Sequence, residues 1–339
     1  MGAPQGESLS VVLVSWNGKS DTLRCLASLA RQTDRDFEIV VVDNGSTDGT
    51  VLAVREEFPS VHVIEAGQNL GFAEGCNRGI DATTSTWIAT LNNDTIADPH
   101  WIAELRREAA LGPATLGMLQ SHVLFLDDDA TLNSTGVELF TSGSARDRSV
   151  GQAERSADPP RDTFCATAGA ALFRRAMLDD IRLASGVFDR TFFMYFEDVD
   201  LGWRCRLAGW SARYVRSAIV RHAFQASSKK REGRFIGIHL RRNRMRMLLK
   251  NGSGRFVART LPQTLYDVCE LVVWEGVGVL PSIGEAVRDG VRQRREVTRT
   301  TGATAKKRRD VEARWLTDAG ESLRDEILLQ LGKVFRRGR

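Results

Sequence analysis

The sequence predicts an α/β protein with a Rossmann-like, mostly parallel central sheet flanked by helices, followed by a helical C-terminal extension. Three observations predict this class. Four short apolar runs rich in β-branched residues, at 10–15, 37–42, 61–65 and 87–91, are typical of buried parallel strands. Segments with helical spacing separate these runs, as in βαβ units. Basic and apolar residues interleave after residue 229, which indicates amphipathic helices.

The individual elements follow from local signals. Asp21 can cap the helix after the first strand, and a helix through Val54 leads to the third. Residues 71–82 are expected to form the helix before the fourth strand. We expect one more strand near residues 168–173 and a helix over 197–208.

Residues 127–163 interrupt this alternation. They are rich in Asp, Ser, Gly, Arg and Pro and show weak periodicity. A long segment of this kind is expected to lie on the surface, where it could act as a lid over a site.

Charge, cysteine content and hydropathy indicate where in the cell the protein is expected to act. The 339 residues carry a formal net charge of +4, and the basic residues gather after Arg204, which favours an anionic partner for that half. Five widely spaced cysteines without a CxxC pair argue against a disulfide framework or a zinc site. The N-terminus lacks a signal-peptide core, and no apolar run approaches the ~20 residues of a membrane span. We therefore expect a cytoplasmic protein without a transmembrane anchor.

Polar side chains follow several of the predicted strands, and ligands of open parallel sheets bind at these carboxyl ends. Asp43 directly follows a strand and could accept hydrogen bonds from a base or ribose, although its neighbours are also ordinary turn residues.

Residues 69–79 contain glycines before a helix, which permit a close approach to phosphate, and Arg78 could add charge. This segment is neither a GxGxxG nor a P-loop motif. Asn92, Asn93 and Asp94 form an oxygen-rich corner of the kind that suits a hard divalent cation.

An acidic cluster stands where the 197–208 helix begins. Glu197, Asp198 and Asp200 lie within four residues and beside several aromatic side chains. A helix start needs only one acid, and packed like charges cost free energy unless a cation or a catalytic role offsets it. We interpret this cluster as part of a site. His222 follows an apolar stretch and is a weaker candidate, since a lone histidine is more often structural.

Taken together and in order, these motifs resemble the family 2 glycosyltransferases with a GT-A fold, in particular the rhamnosyltransferase-like and galactofuranosyltransferase-like branch. The resemblance covers roughly residues 8–250. The segments that carry it are residues 11–17, 40–48, 69–77, 91–94, 169–175 and 188–204.

The resemblance implies a role for each position. Asp43 would contact the nucleoside of a nucleotide-diphosphate sugar. A divalent cation, Mg²⁺ or Mn²⁺, would be held by Asp94 with Asn92 and completed by His222, although Asn92 and Asn93 replace the acids usual in the family. Asp198, with Glu197, would carry the catalytic base. Further donor contacts are expected from Ser15, Asn17, Asn69, Gly71, Asn77, Arg78 and Asn93, and acceptor contacts from Gly169, Asp200 and Trp203.

The resemblance also implies an inverting, metal-dependent transfer, since one direct attack by the acceptor hydroxyl inverts the anomeric centre. Donor and acceptor would be dTDP-rhamnose and a lipid-linked sugar or glycan in bacterial cell-wall or polysaccharide assembly. Transfer of galactofuranose from its UDP derivative is an alternative. So is a non-catalytic protein of this fold that binds membrane or nucleic acid through the basic segment 229–250. We favour peripheral contact with the anionic inner face of the cell membrane and no nucleic acid.

These expectations divide the chain into four parts. Residues 1–228 would form the GT-A nucleotide-sugar-binding and catalytic domain, and residues 229–298 a basic amphipathic helical extension. Residues 299–310 would be a linker and residues 311–339 an amphipathic C-terminal helix.

Overall fold

The first half of the fold is a parallel sheet built from the predicted βαβ units. In the computed structural model, which describes residues 7–223 and 232–318, valine-rich strands alternate with helices that cover the sheet. Neighbouring strands are parallel, in the order β3-β2-β1-β4. The elements are β1 Leu9–Ser15, α1 Lys19–Leu29, β2 Glu38–Asp43, α2 Thr50–Glu57, β3 His62–Glu65, α3 Gly71–Asp81 and β4 Trp87–Asn92.

The second half extends this sheet in a mixed sense. Its elements are β5 Thr95–Ala97, α4 Trp101–Leu111, β6 Leu116–Phe125, β7 Asp128–Ser134, β8 Val137–Phe140, β9 Ala145–Asp147, β10 Ala170–Arg174, α5 Arg175–Asp180, α6 Glu197–Ala208 and β11 Ser211–His222. The order continues β4-β10-β6-β11-β5, with β7 on β6. Within the described residues, β5, β7 and β10 run against the other six strands of this sheet. The α/β class is confirmed, with a mixed sheet.

The sheet is buried on both faces, because helices cover both. Along β1, Val12 points into one core cluster with Val40 and Phe173, whereas Leu13 points into the other with Trp101. This alternation is the period of two expected of a strand. Ser15, Asp43 and Asn92 are polar side chains at the carboxyl ends of β1, β2 and β4.

The 127–163 segment is more regular than its composition indicates. Three short strands, β7 to β9, lie within it, and β7 pairs with β6 of the main sheet. β8 and β9 form a small second sheet with β12 Leu316–Thr317. Strands of three to seven residues are too short to show clear periodicity, which is why the segment reads as irregular.

The C-terminal region is helical, with α7 Glu232–Asn251, α8 Gly254–Glu275, α9 Leu280–Thr301 and α10 Ala305–Trp315. Helices occupy most of the linker expected at 299–310. Only residues 302–304 separate α9 from α10. Thr304 caps α10 by accepting from the Lys307 amide at 3.1 Å. The predicted helix at 311–339 lies mainly outside the described residues.

Residues 232–250, the described part of the basic segment, lie only partly on the surface. The second half of α7 packs into the protein, so that residues 243–248 and Lys250 are buried, including Arg244 and Arg246. Arg244 donates to Asp267 on α8 at 2.8 Å, and Arg246 contacts Asp289 on α9 at 3.3 Å. These charges therefore hold the helices together, and this half of α7 has no surface to offer an anionic membrane.

Candidate active site

A cavity of about 250 Å³ opens where β4 and β11 end and where β10 and α6 begin. The first turn of α6 contributes Glu197 and Asp198, and the end of β11 contributes His222. Three sheet strands and one helix terminus thus bring together groups that are far apart in sequence. The lining residues are Phe72, Asn92, Thr95, Val123, Asn133, Ser134, Asp147, Thr167, Ala168, Gly169, Ala170, Met194, Tyr195, Glu197, Asp198 and His222.

Asp94 and His222 meet at one side of this cavity. Oδ1 of Asp94 lies 3.1 Å from Nε2 of His222, and both side chains are mostly buried. The Asn92 amide nitrogen is 3.4 Å from the same Nε2. Antiparallel pairing of β5 with β11 produces this meeting, because it sets Thr95, the residue after Asp94, opposite His222.

The other ring nitrogen of His222 is fixed by Asn133. Nδ1 lies 3.1 Å from Oδ1 of Asn133, an atom that can only accept a hydrogen bond. Asn133 therefore orients the imidazole so that Nε2 faces Asp94. Partners of this kind orient metal-binding histidines.

The donor set fits a divalent cation that shares its coordination with a ligand. Carboxylate, imidazole and amide oxygen are acceptable to Mn²⁺ or Mg²⁺. Among the described residues, no group of three or more His, Cys, Asp and Glu side chains is close enough to hold a metal alone. Asp94 and His222, with Asn92 beside them, would thus hold a cation whose remaining ligands come from a diphosphate.

The carboxyl groups of Glu197 and Asp198 both have raised pKa values. Burial raises the pKa of Glu197 well above its usual range, and the charge of Asp198 raises it further. Burial also raises the pKa of Asp198, although the backbone amides of Val199 and Ala168 partly offset this effect. Val199 donates to Asp198 at 2.7 Å, whereas Oε2 of Glu197 has no hydrogen-bond partner within the described residues. A neutral Glu197 beside an ionised Asp198 is the arrangement that this environment favours.

A second group of predicted residues lies at the same edge of the sheet, at the ends of β1 and β2. Ser15 and Asp43 are opposite each other in the parallel register. Asp43 is 2% exposed, and its Oδ2 accepts from the amides of Gly45 and Ser46, while Oδ1 has no partner in the described part of the chain. An unpartnered buried carboxylate oxygen costs free energy unless a ligand completes it.

Two asparagines complete this group. Oδ1 of Asn17 accepts from the Thr47 amide at 2.8 Å, which joins the loops after β1 and β2. The Asn93 side chain donates to Thr22, whose hydroxyl is 2.8 Å from that of Ser15. The predicted donor contacts are thus adjacent to one another, next to the cavity rather than in its lining.

The glycine-rich start of α3 serves packing in this structure. Gly71 has φ +80°, and a Cβ there would collide with the Phe193 backbone. The Asn69 side chain accepts from the Gly71 amide at 2.9 Å. Asn77 is 4% exposed and exchanges two hydrogen bonds, of 2.7 and 2.9 Å, with the Phe188 backbone. The Asn77 amide thus holds the loop before α6, and its contact with the donor stays a prediction. Arg78 is 40% exposed and lies 3.8 Å from Glu74.

Asp200 and Trp203, two of the predicted acceptor contacts, are buried and do not line the cavity. Asp200 accepts from Lys250 at 2.9 Å and from Arg204 at 2.9 Å, and Lys250 also contacts Asp189 at 2.6 Å. Trp203 packs against aromatic rings of the core. Both residues therefore support the base of α6, and of the three predicted acceptor contacts only Gly169 lines the cavity.

Asn133 and Asp147 are among the lining residues that the sequence analysis did not identify. Both come from the 127–163 segment, where short polar strands gave no sign of a buried position. Burial raises the pKa of Asp147 to about 6, the charge of Asp198 adds to this rise, and the Ser134 hydroxyl and His222 oppose it. Asp147 therefore adds a third carboxyl group to the cavity.

Similarity to known proteins agrees with this geometry. Residues 10–182 match the profile of the family described as "Glycosyl transferase family 2". The N-acetylglucosaminyl-diphospho-decaprenol L-rhamnosyltransferase of Mycobacterium tuberculosis (strain CDC 1551 / Oshkosh) is 30% identical over 246 residues, which are 63% of this chain and 75% of that protein.

Two solved structures have a similar fold at low identity. GalNAc-T7 with UDP, GalNAc and Mn²⁺ gives a TM-score of 0.58 at 15% identity, over 75% of this chain and 49% of that one, so the chain spans about half its length. The mannosyltransferase from Pyrobaculum calidifontis with GDP-Man and Mn²⁺ gives 0.51 at 15% identity, over 86% and 85%. These structures support the fold, and the profile and the mycobacterial relative confirm the resemblance drawn from the motifs. The chain belongs to glycosyl transferase family 2.

Proposed function

We propose that this protein is an inverting, metal-dependent glycosyltransferase that transfers L-rhamnose from dTDP-rhamnose to a hydroxyl of a lipid-linked sugar. One observation carries the proposal: Asp198 shares a single cavity with His222, which contacts Asp94. A base for the acceptor and a site for a diphosphate-bound cation are thus adjacent. The mycobacterial relative, whose name gives an L-rhamnosyl donor and a diphospho-decaprenol acceptor, supports the choice of substrates.

Asp198 is suited to act as the general base. An acceptor hydroxyl is a poor nucleophile, and a carboxylate that removes its proton during attack assists the reaction. Burial raises the pKa of Asp198 and so makes its carboxylate more basic than that of an exposed aspartate. Glu197, which is more strongly disposed to stay protonated, can donate a hydrogen bond beside it.

Asp94 and His222, with Asn92, would hold Mn²⁺ or Mg²⁺. When bound, such a cation offsets the negative charge that develops on the leaving diphosphate. Asn133 contacts Nδ1 of His222 and so directs Nε2 to this position. The bound Mn²⁺ of the two structural neighbours is in keeping with this role.

The remaining site residues are suited to contact either the donor or the acceptor. Asp43, with its unpartnered Oδ1, is suited to a ribose or base donor group, and Ser15, Asn17 and Asn93 lie beside it. Gly169 and Asp147 lie on the cavity wall that an acceptor sugar would contact. A lipid-linked acceptor implies catalysis at a membrane surface.

A transfer assay with defined substrates tests the proposal. The protein is incubated with Mn²⁺, a synthetic polyprenyl-diphosphate-GlcNAc and either dTDP-rhamnose or UDP-galactofuranose, and products are identified by mass and by NMR of the anomeric centre. We expect the mass of a single rhamnose to be added, with the anomeric configuration inverted. A galactofuranosylated product would replace the donor assignment, and hydrolysis or transfer without any metal would contradict metal dependence.

A further inference from the structure

Among the described residues, a large set of exposed apolar side chains lies outside the cavity lining, on α8 and at the start of α9. Val273, Trp274 and Val277 are 78%, 74% and 71% exposed, which is extreme for side chains of this size. They occupy the end of α8 and the short turn that leads to α9. We call residues 273–280 the apolar tip.

Exposed apolar residues continue away from this tip along both helices. On α8 they recur at helical spacing, so that they share one face, and the side of α8 that carries Asp267 and Leu271 is buried. The α9 residues continue the pattern at intervals of three or four. The exposed apolar side chains beyond the tip are Leu261, Leu265, Tyr266, Val287 and Val291.

The exposed charged side chains on α8 and α9 are mostly positive. Between residues 254 and 301, the fully exposed charged side chains are six arginines and one glutamate, Glu285. Other acids in this range are less accessible: Glu275, which lies within the tip, is half-buried, Glu270 bonds to Arg241, and Asp267 bonds to Arg244. The exposed arginines all stand at least two helical turns from the apolar tip: Arg255, Arg259, Arg288, Arg292, Arg295 and Arg299.

An apolar end with cationic side chains set back from it matches the layers of an anionic membrane surface. Apolar and aromatic side chains enter the boundary between acyl chains and headgroups, and arginines meet the lipid phosphates. Within the described residues no helix is long and apolar enough to cross a bilayer. We propose that the α8–α9 segment, with its apolar tip, is the surface by which this protein docks on anionic lipid.

The docking surface is close to the catalytic cavity through α7. Asn243 donates to the backbone carbonyls of Phe192, Met194 and Tyr195, and the last two residues line the cavity. On its other side α7 bonds to α8 through Arg241 and Glu270. Membrane docking at α8 would hold the cavity beside the bilayer, and this last link rests on the proposed transfer to a lipid-linked acceptor.

Vesicle sedimentation of the full chain tests the proposal. The probes are vesicles of phosphatidylcholine alone and of phosphatidylcholine with phosphatidylglycerol. We expect wild type to bind the anionic vesicles and V273S/W274S/V277S to bind about tenfold or more weakly, since these side chains lose their apolar contact. The matched control is L52S/L111S, which removes two leucines that are 63% and 72% exposed elsewhere, on α2 and α4. We expect it to bind like wild type.

Two further measurements separate the outcomes. R288Q/R292Q/R295Q should lose most of the preference for anionic over neutral vesicles. Equal vesicle binding by wild type and the serine variant, or a serine variant that converts a dimer to a monomer in light scattering without loss of vesicle binding, would overturn the proposal. With a water-soluble, short-chain acceptor the serine variant should keep wild-type transfer rates. Absence of transfer by wild type itself would instead refute the proposed function.

Discussion

The carboxylate of Asp94 lies 3.1 Å from Nε2 of His222, and Asn133 holds the opposite ring nitrogen at 3.1 Å. A ring nitrogen and a carboxylate oxygen at this distance can be joined by a proton or can share a bound cation. This relationship, next to the carboxylate of Asp198 in the same cavity, is the physical basis of the proposed metal-assisted transfer.

Replacing Asn133 should weaken cation binding without removing a ligand. In Asn133→Ala the imidazole loses the partner that orients its ring, and we expect affinity for Mn²⁺ to fall about 10- to 100-fold. His222→Ala should have a larger effect. Calorimetric titration of Mn²⁺ in the presence of dTDP measures both. His100→Ala, at an exposed position, is the control, and unchanged Mn²⁺ affinity in both site variants would remove His222 from the metal site.

Asp147 should affect the acceptor more than the donor. If its carboxyl group bonds an acceptor hydroxyl, Asp147→Asn should raise the KM for the acceptor about 10- to 100-fold, in line with one hydrogen bond to a charged group. The KM for dTDP-rhamnose should change little. Asp129→Asn is the matched control from the same segment, since Asp129 is exposed and pairs with Arg221. A change confined to the donor KM would place Asp147 on the other substrate.

The pH dependence should reveal the buried base. Transfer requires Asp198 ionised, so kcat/KM should rise with pH through the pKa of this group and then level off. Because burial raises the pKa of Asp198, the rise should occur above the usual aspartate value of about 3.9. As the pH falls, activity is therefore lost at a higher pH than it would be with an exposed aspartate as the base. Initial rates at subsaturating acceptor measure this, and a midpoint at or below the ordinary value would contradict the assignment.

The charges beneath α6 should matter for stability rather than for chemistry. Lys250 is fully buried between Asp189 and Asp200. Lys250→Ala leaves these carboxylates without their shared cation, and we expect the free energy of unfolding to fall by about 3–5 kcal/mol. Urea denaturation measures the change. Arg24→Ala, which breaks an exposed pair with Asp21, should cost about 0–1 kcal/mol. A loss for Lys250→Ala as small as that of the control would contradict a supporting role.

The elements that the sequence predicted best are those with strong local signals. The helix expected at 197–208 is α6, which ends at Gly209 with φ +96°, a conformation that glycine adopts without strain. The four N-terminal strands follow from β-branched runs. The roles of Asp200 and Trp203 could not be read in the same way, because α6 is buried on nearly every side and periodicity then does not separate core from cavity.

The site was predicted in part for a related reason. Asp94 and His222 could be paired only through the family resemblance, since the antiparallel pairing of β5 with β11 is a long-range contact. Asp147 and Asn133 lie on short strands that the pattern of apolar residues cannot detect. The basic run before Lys250 was assigned to a membrane because sequence alone does not reveal that Asp267 and Asp289 neutralise two of its arginines.

The most direct test of the base assignment compares wild type with Asp198→Asn at saturating dTDP-rhamnose, Mn²⁺ and acceptor. The substitution keeps the size of the side chain and removes only its ability to accept a proton. We expect the rate of rhamnosyl transfer to fall about 10²- to 10⁴-fold while the affinity for dTDP-rhamnose, measured by calorimetry, stays within a few-fold of wild type. Equal transfer rates in the two proteins would contradict the role of Asp198 as the base.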